Sequence, residues 1–328
     1  MTQQHNQGKT WSIVLAGGEG TRVGSFVQRW LGRPRPKQFC TFVGTRSLLQ
    51  HTVDRAACLT PAAQSILVIA KSHRQEAMTQ LDGRGVGTVL FQPANRDTGA
   101  GVFLPLTYVR ARDPQATVII YPSDHFVYPE VRFLATVRNV VSVTERLRDR
   151  IVLLGVAPDR LELDYGWILP GERLTDAGAS PVQAVRAFLE KPTAQEADAA
   201  LATHALWNTM VMVAKVETLW NLGRQCFPEL VERFERLGRA IGTSEEAQTL
   251  ESIYQTMPNK NFSTDLLQRV PDRVAVTELT NALWSDWGRP ERIADALRRT
   301  GLTPAFPLDA LGSPFVPIHQ ASPIAVKM

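Results

Sequence analysis

The sequence predicts a doubly wound α/β protein built on a mostly parallel sheet, and three observations carry that expectation. Short apolar runs of strand length recur through the first half, at residues 13–16, 65–70, 88–91 and 117–121. Stretches with helical spacing separate them, and strands alternating with helices close into a parallel sheet covered on both faces. Glycine, Gln-Pro and Pro-Ser-Asp clusters follow directly on three of the runs. In such sheets ligands bind beyond the carboxyl ends of the strands, so these clusters are predicted to share one crevice.

The first strand, Ile13-Val14-Leu15-Ala16, runs straight into Gly17-Gly18-Glu19-Gly20-Thr21-Arg22. Glycines let successive backbone N–H groups close on an anion with no Cβ in the way. Arg22, and Lys37 in the Pro36-Lys37-Gln38-Phe39 stretch, supply cations for phosphate oxygens. A P-loop is excluded, since no Lys-Ser or Lys-Thr follows the glycines. A dinucleotide fingerprint fails at Val23, and Lys37 and Gln38 stand near the place, about 20 residues on, where a ribose-binding acid belongs. A plain glycine turn between strand and helix remains the competing reading of the loop taken alone.

Ser47 is placed to cap an amphipathic helix over LLQHTVDRAACL. The strand at 65–70 precedes a polar helix near 73–81. The strand at 88–91 leads into Gln92-Pro93-Ala94-Asn95-Arg96-Asp97-Thr98 and a helix over about 99–112, and the strand at 117–121 ends in Pro122-Ser123-Asp124-His125. The second half is organised differently. Residues 151–156 form a strand, and 165–168 and 182–189 read as a pair with Gly171-Glu172 in the turn. Glu190-Lys191-Pro192 closes the second of these. An Ala-rich helix, a strand at 207–213, helices over 217–240 and 244–256, a short strand at 274–276 and a last helix over 289–299 follow. The remaining segment, 301–328, contains Pro304, Pro307, Pro314, Pro317 and Pro323 and reads as irregular or mobile.

Composition narrows the class. The chain has 328 residues, a formal net charge of +4 and dispersed arginines, which suits a polyanionic small substrate better than a nucleic-acid track. Its three cysteines show no CxxC and no metal spacing, so they read as small apolar groups in a reducing compartment. The polar N-terminus does not read as a signal peptide, and no apolar run reaches membrane-spanning length. A cytoplasmic protein without membrane or nucleic-acid partners is expected.

Candidate chemistry rests on a few side chains. Asp124 at a strand end can hold Mg²⁺, which takes one or two carboxylates alongside phosphate oxygens and water. Capping of the next helix is its alternative. Asp286, between Trp284 and Trp287 and before Gly288, reads as a second carboxylate or as a hydrogen-bonded turn residue. Glu190 and Lys191 form either a charged site element or a solvated strand end. Asn208 offers an amide to hydroxyls or merely serves a turn.

Taken in order, LAGGEGTR, PKQF, QPANRDTGAG, YPSDHF, YGW, FLEKP, WN and WSDWG resemble the motif series of the sugar-1-phosphate nucleotidylyltransferases. Within that family they look most like the mannose-1-phosphate guanylyltransferases, over residues 11–297. The resemblance implies a Rossmann-like doubly wound mixed sheet of the nucleotide-diphospho-sugar transferase type, with an inserted sugar-binding subregion and a helical C-terminal part. It implies one domain over 9–300, with a nucleotide half to about 150 and a sugar half beyond, and a tail over 301–328. Gly17, Gly18, Gly20, Thr21 and Arg22 would wrap the nucleotide phosphates, with Lys37 beside them. Gln92, Arg96 and Thr98 would lie by base and ribose. Asp124 and Asp286 would hold Mg²⁺. Gly166, Glu190 and Asn208 would contact the sugar, and Lys191 its phosphate.

The implied substrates are a nucleoside triphosphate and a sugar-1-phosphate, with GTP and mannose-1-phosphate giving GDP-mannose and pyrophosphate. The same chemistry on another sugar or base, and a non-catalytic regulatory subunit that binds nucleotide-sugar, are the alternatives. A homodimer is left open. The segment between the glycines and PKQF, 23–35, is longer than in the mannose enzymes and carries Arg29, Arg33 and Arg35; it reads as a mobile lid. Arg96-Asp97-Thr98-Gly99 stands where the family often has RNTA, and the C-terminal isomerase domain of the bifunctional members is not expected in this chain.

Overall fold

The computed structural model describes residues 10–311. Residues 1–9 and, of the Pro-containing segment, 312–328 with Pro314, Pro317 and Pro323 lie outside the described residues. The strands are β1 (Thr10–Ala16), β2 (Ser65–Ala70), β3 (Thr88–Gln92), β4 (Thr117–Pro122), β5 (Phe126–Tyr128), β6 (Ile151–Val156), β7 (Gly166–Ala177), β8 (Ser180–Glu190), β9 (Leu206–Lys215), β10 (Val274–Glu278) and β11 (Leu283–Ser285). The helices are α1 (Gly24–Leu31), α2 (Leu48–Ala57), α3 (Arg74–Leu81), α4 (Asp97–Arg112), α5 (Glu130–Thr144), α6 (Ala194–Leu201), α7 (Val216–Cys226), α8 (Pro228–Ala240), α9 (Glu246–Thr256) and α10 (Pro290–Thr300). No helix among the described residues is long and apolar enough to cross a membrane.

Nine strands form one mixed sheet in the order β3-β2-β1-β4-β9-β6-β10-β8-β7. The pairs β1–β2, β2–β3 and β1–β4 are parallel. The chain leaves β1 toward β2 and β3, then returns to lay β4 on the other side of β1. That reversal opens a crevice at the carboxyl ends of β1 and β4. β9 runs antiparallel to both β4 and β6 and joins the two halves of the sheet.

Alternation along the strands explains why their sequences are apolar throughout. In β1, Ile13 packs on one face and Val14 on the other; in β4, Val118 and Ile120 face one core, Ile119 and Tyr121 the second. Successive side chains of a strand point to opposite faces, so a sheet covered on both sides needs apolar residues at every position. Phe103, Trp220, Phe234 and Tyr254, from α4, α7, α8 and α9, cover the first face. Leu49, Val53, Ala77, Phe133 and Ala197, from α2, α3, α5 and α6, cover the second. Ser47 caps α2 through a reciprocal box with Gln50, as its position predicts.

Four local expectations change. The hairpin between β7 and β8 turns at Gly178, φ +64°, whereas Gly171 and Glu172 lie inside β7. β7 comes last in the sheet order and also pairs with β9 at Trp167 and Ile168; beyond that pairing its outer part tolerates Pro170 and Gly171 as an irregularity in the ladder. The helical stretch expected over 217–240 divides between Cys226 and Pro228, and the proline takes the first turn of the second helix, where its missing N–H leaves no bond unmade. Residues 24–31 form a helix with Phe26 and Val27 fully buried, so this part of 23–35 is a packed element and not a mobile lid. The part of the C-terminal segment that is described also packs: Phe306 and Leu311 join Phe26, Phe42, Trp287 and Ile293 in a third apolar cluster.

Candidate active site

The crevice begins where β1 ends. Gly20 has φ +61°, the left-handed conformation that glycine adopts without a Cβ penalty. A Cβ there would meet Lys37 Cβ at 2.8 Å and its backbone nitrogen at 2.9 Å, so this glycine lets the loop close onto Lys37. Gln38, 2 % exposed, fastens the two segments by donating to the carbonyls of Ala16 at 3.2 Å and Gly18 at 2.7 Å. Across the crevice, the Ser123 N–H donates to the Leu15 carbonyl at 3.0 Å and so fixes Asp124 beside the loop. Gly17, Gly18, Gln92, Thr98 and Asp124 line a cavity of about 270 Å³. A larger cavity, about 750 Å³, is lined by Phe42, Arg55, Phe126 and Leu302; none of the residues to which the resemblance gives a substrate or metal role lines it.

Lys37 is the hinge of the electrostatics. Its side chain is 3 % exposed, and Nζ lies 2.9 Å from Asp124 Oδ2. The same ammonium donates to the Asp286 backbone carbonyl. Two segments far apart in the sequence therefore meet on one cation. A two-stranded ladder brings them there, with Ser285 of β11 opposite Phe126 of β5. Trp287 stacks on Phe126 at 4.3 Å and holds the end of that ladder shut.

Asp286 is 4 % exposed and accepts from Arg22, Tyr165, Arg292 and the Gly288 N–H. Burial opposes its charge, but Lys37 and Arg292 outweigh burial and hold the carboxyl well below the usual range. Asp124 follows the same pattern: burial pushes its carboxyl up, and Lys37, then His125, bring it net below the ordinary value. Both carboxylates thus stay ionised. They also feel each other's charge across the crevice. Asp124 lines the cavity, and Asp286 stands next to it across the shared Lys37 ammonium; two such carboxylates are the oxygen donors that a small divalent cation takes together with phosphate oxygens and water. No group of three or more His, Cys, Asp or Glu side chains placed to hold a metal occurs among the described residues.

The remaining motif residues are arranged around this centre. Gln92 is buried and donates to the Tyr254 hydroxyl at 3.1 Å. Thr98 Oγ1 accepts from the Phe262 N–H at 2.8 Å. Arg96 is turned to the carbonyls of Tyr254 at 2.8 Å and Gln255 at 3.2 Å. Thr21 is exposed at the outer end of the glycine loop. On the second-half side, Gly166 stands opposite Glu190 in the β7–β8 ladder, where a Cβ would press on Glu190 Oε2 at 2.9 Å. Burial pushes the Glu190 carboxyl up, with Lys191 opposing. Ser263 links Glu190 to Met210, a lining residue of the crevice. The Asn208 side chain accepts from the Met210 N–H at 3.0 Å, and Lys191 is exposed with φ +48°.

Several functional side chains escape sequence reasoning. Gln38 lies inside a recognised motif, yet its fastening role depends on a fold-back. Arg292, 4 % exposed, binds Glu162 at 2.7 Å, Asp164 at 2.8 Å and Asp286 at 2.9 Å. In the sequence it is one charge among several on a terminal amphipathic helix. Tyr165 is visible in the YGW motif, but only the structure puts its hydroxyl 2.8 Å from Asp286.

The sequence profile of the family described as Nucleotidyl transferase matches residues 11–301. The chain belongs to that family. The chain is 26% identical over 294 residues to the mannose-1-phosphate guanylyltransferase of Escherichia coli (strain K12), covering 86% of this chain and 58% of that protein. It is 26% identical over 294 residues to the xanthan biosynthesis protein XanB of Xanthomonas campestris pv. campestris (strain B100), covering 88% and 60%. A crystal structure described as a mannose-1-phosphate geranyltransferase from Thermus thermophilus superposes with a TM-score of 0.73 at 28% identity, over 89% of this chain and 78% of that one. The chain thus spans 58% to 60% of the length of these two curated relatives. The resemblance read from the ordered motifs and the mixed-sheet fold it implied are both borne out.

Proposed function

We propose that this chain transfers a nucleotidyl group from a nucleoside triphosphate to a sugar-1-phosphate, and specifically makes GDP-mannose from GTP and mannose-1-phosphate with release of pyrophosphate. The observation that carries the reading is the meeting of Lys37, Asp124 and Asp286 at the carboxyl end of β1 and β4, beside the glycine loop. The names of the relatives favour mannose and guanine.

Such a centre needs no protein nucleophile. A sugar phosphate is largely dianionic at neutral pH, since its second pKa is about 6, and its own oxygen attacks the α-phosphorus in line. The residues then position and neutralise. The glycine loop receives the triphosphate through backbone N–H groups, and Lys37 and Arg22 offset charge on the departing pyrophosphate. Asp124 and Asp286 would hold Mg²⁺, which supplies Lewis-acid neutralisation of the phosphate oxygens when bound. Gly166, Glu190, Asn208 and Lys191 are assigned the sugar phosphate, and Gln92, Arg96 and Thr98 the base and ribose.

Pyrophosphate release, measured over the four nucleoside triphosphates against mannose-, glucose- and other sugar-1-phosphates, tests the reading. Release should peak with GTP and mannose-1-phosphate. A peak elsewhere moves the specificity, and tight nucleotide-sugar binding without release in any pairing replaces the enzyme with a sensor. Asp124→Ala and Asp286→Ala should each lower kcat by about 100-fold or more; near-normal turnover in either removes that residue from the centre.

A further inference from the structure

Asp286 receives five hydrogen bonds on two oxygens, and the donors are held with unequal firmness. Oδ1 accepts from the Tyr165 hydroxyl at 2.8 Å, the Gly288 N–H at 2.9 Å and Arg292 Nη1 at 2.9 Å. Oδ2 accepts from the same Arg292 nitrogen at 3.0 Å and from Arg22 Nη2 at 2.9 Å. Tyr165 and Arg292 are buried, and Arg292 is further anchored by Glu162 and Asp164. Arg22 is different. Its side chain is 50% exposed, and Nη1 reaches toward Asp164 at 3.5 Å.

A carboxylate oxygen offers about two lone-pair positions, and a hard cation needs one of them. Three firmly held donors fill Oδ1. Oδ2 becomes available only when the exposed guanidinium leaves. The space it occupies is made by Gly288: a Cβ there would lie 2.8 Å from Arg22 Cζ. Arg22 also belongs to the loop that faces the phosphates, where bidentate anion binding competes for the same fork.

We propose that Arg22 gates the metal site, covering Asp286 Oδ2 in the nucleotide-free protein and uncovering it when the guanidinium passes to the incoming phosphates. The inference rests on the reading of Asp124 and Asp286 as the metal pair. It makes cation and nucleotide binding interdependent, each favouring the state that the other needs. Arg292 stays in place throughout and fixes which oxygen is offered.

The test is direct binding of Mn²⁺, read from the EPR signal of free ion, to nucleotide-free wild type, Arg22→Gln and Arg22→Gln/Asp286→Asn. Loss of turnover in Arg22→Gln is expected on any account and discriminates nothing. Removing one positive charge within hydrogen-bond distance of the ligand oxygen should tighten Mn²⁺ about tenfold or more. The double variant should lose that gain. Equal affinity in wild type and Arg22→Gln overturns the gate, as does a gain that survives Asp286→Asn. Water-proton relaxation with the α,β-methylene analogue of GTP separates the two levels. Enhancement in wild type shows the ternary metal complex, so that an unchanged Arg22→Gln then refutes the gate alone. No enhancement in any protein removes the metal pair, and the gate with it.

Discussion

Lys37→Met keeps most of the side chain's volume and deletes only the ammonium. In the folded protein that ammonium is 2.9 Å from Asp124 Oδ2 and also satisfies the Asp286 carbonyl. Removing one partner of a buried ion pair costs about 3–5 kcal/mol. The Asp124 side chain is 32% exposed, so water recovers part of the loss, and about 2 kcal/mol at neutral pH is expected. The sign of the pH dependence follows from the carboxyl. Its folded-state value is depressed in wild type, against the pull of burial. That contribution is fully present above the unfolded value, about 3.9, and is lost as pH falls through the folded one. Without Lys37, burial raises the carboxyl instead, and the variant loses stability as pH climbs above the unfolded value. The gap between the proteins should therefore be widest near neutrality and narrow toward about pH 3. Urea unfolding at several pH values measures it. A gap that is constant with pH, or that widens in acid, refutes the assignment of Asp124 as the partner that matters.

Gly20→Ala places a Cβ in a left-handed residue, at about 1–2 kcal/mol, and against Lys37. It should lower the melting temperature and raise KM for the nucleoside triphosphate, whereas Gly18→Ala, where a Cβ meets nothing within 4 Å, should leave the melting temperature unchanged. Phe26→Ala removes a fully buried ring packed 5.1 Å from Phe306 and 5.9 Å from Trp30. A loss of about 3–5 kcal/mol in urea unfolding is expected, and a loss under about 1 kcal/mol would return α1 to the status of a loose insertion.

The first half of the fold is legible because its information is local. Each strand is a short apolar run, each site segment follows it at once, and parallel topology then delivers Gly17, Gln92 and Asp124 to one edge. Asp286 is legible only through its motif. Nothing near it in sequence indicates that Arg22, Tyr165 and Arg292 converge on it, because those partners come from three separate elements of the chain. Arg292 illustrates the difficulty: a charged residue at helical spacing ordinarily faces water, and Asp286 together with the acids at 162 and 164 makes its burial tolerable here. The misplaced hairpin turn has a different origin. Gly171 and Gly178 each offer a turn, and the β7–β8 ladder runs on past Gly171 to the Ala177–Ser180 pair, which leaves the turn to Gly178. The Phe227–Pro228 break is visible in the sequence as a proline, but helical periodicity on both sides conceals it.

The small β5–β11 ladder has a consequence for how such a chain can diverge. The spacing of Asp124 and Asp286 is set by a few backbone rungs and one stacked pair of rings, not by the length of polypeptide that connects them. The stretch between residues 129 and 282 adds to that clasp rather than setting it: β9 pairs with β4, and Tyr165 donates to Asp286. Changes in the loops of the second half that leave β9 and Tyr165 in place can therefore alter what is presented to the crevice while the clasp between the two carboxylates is kept.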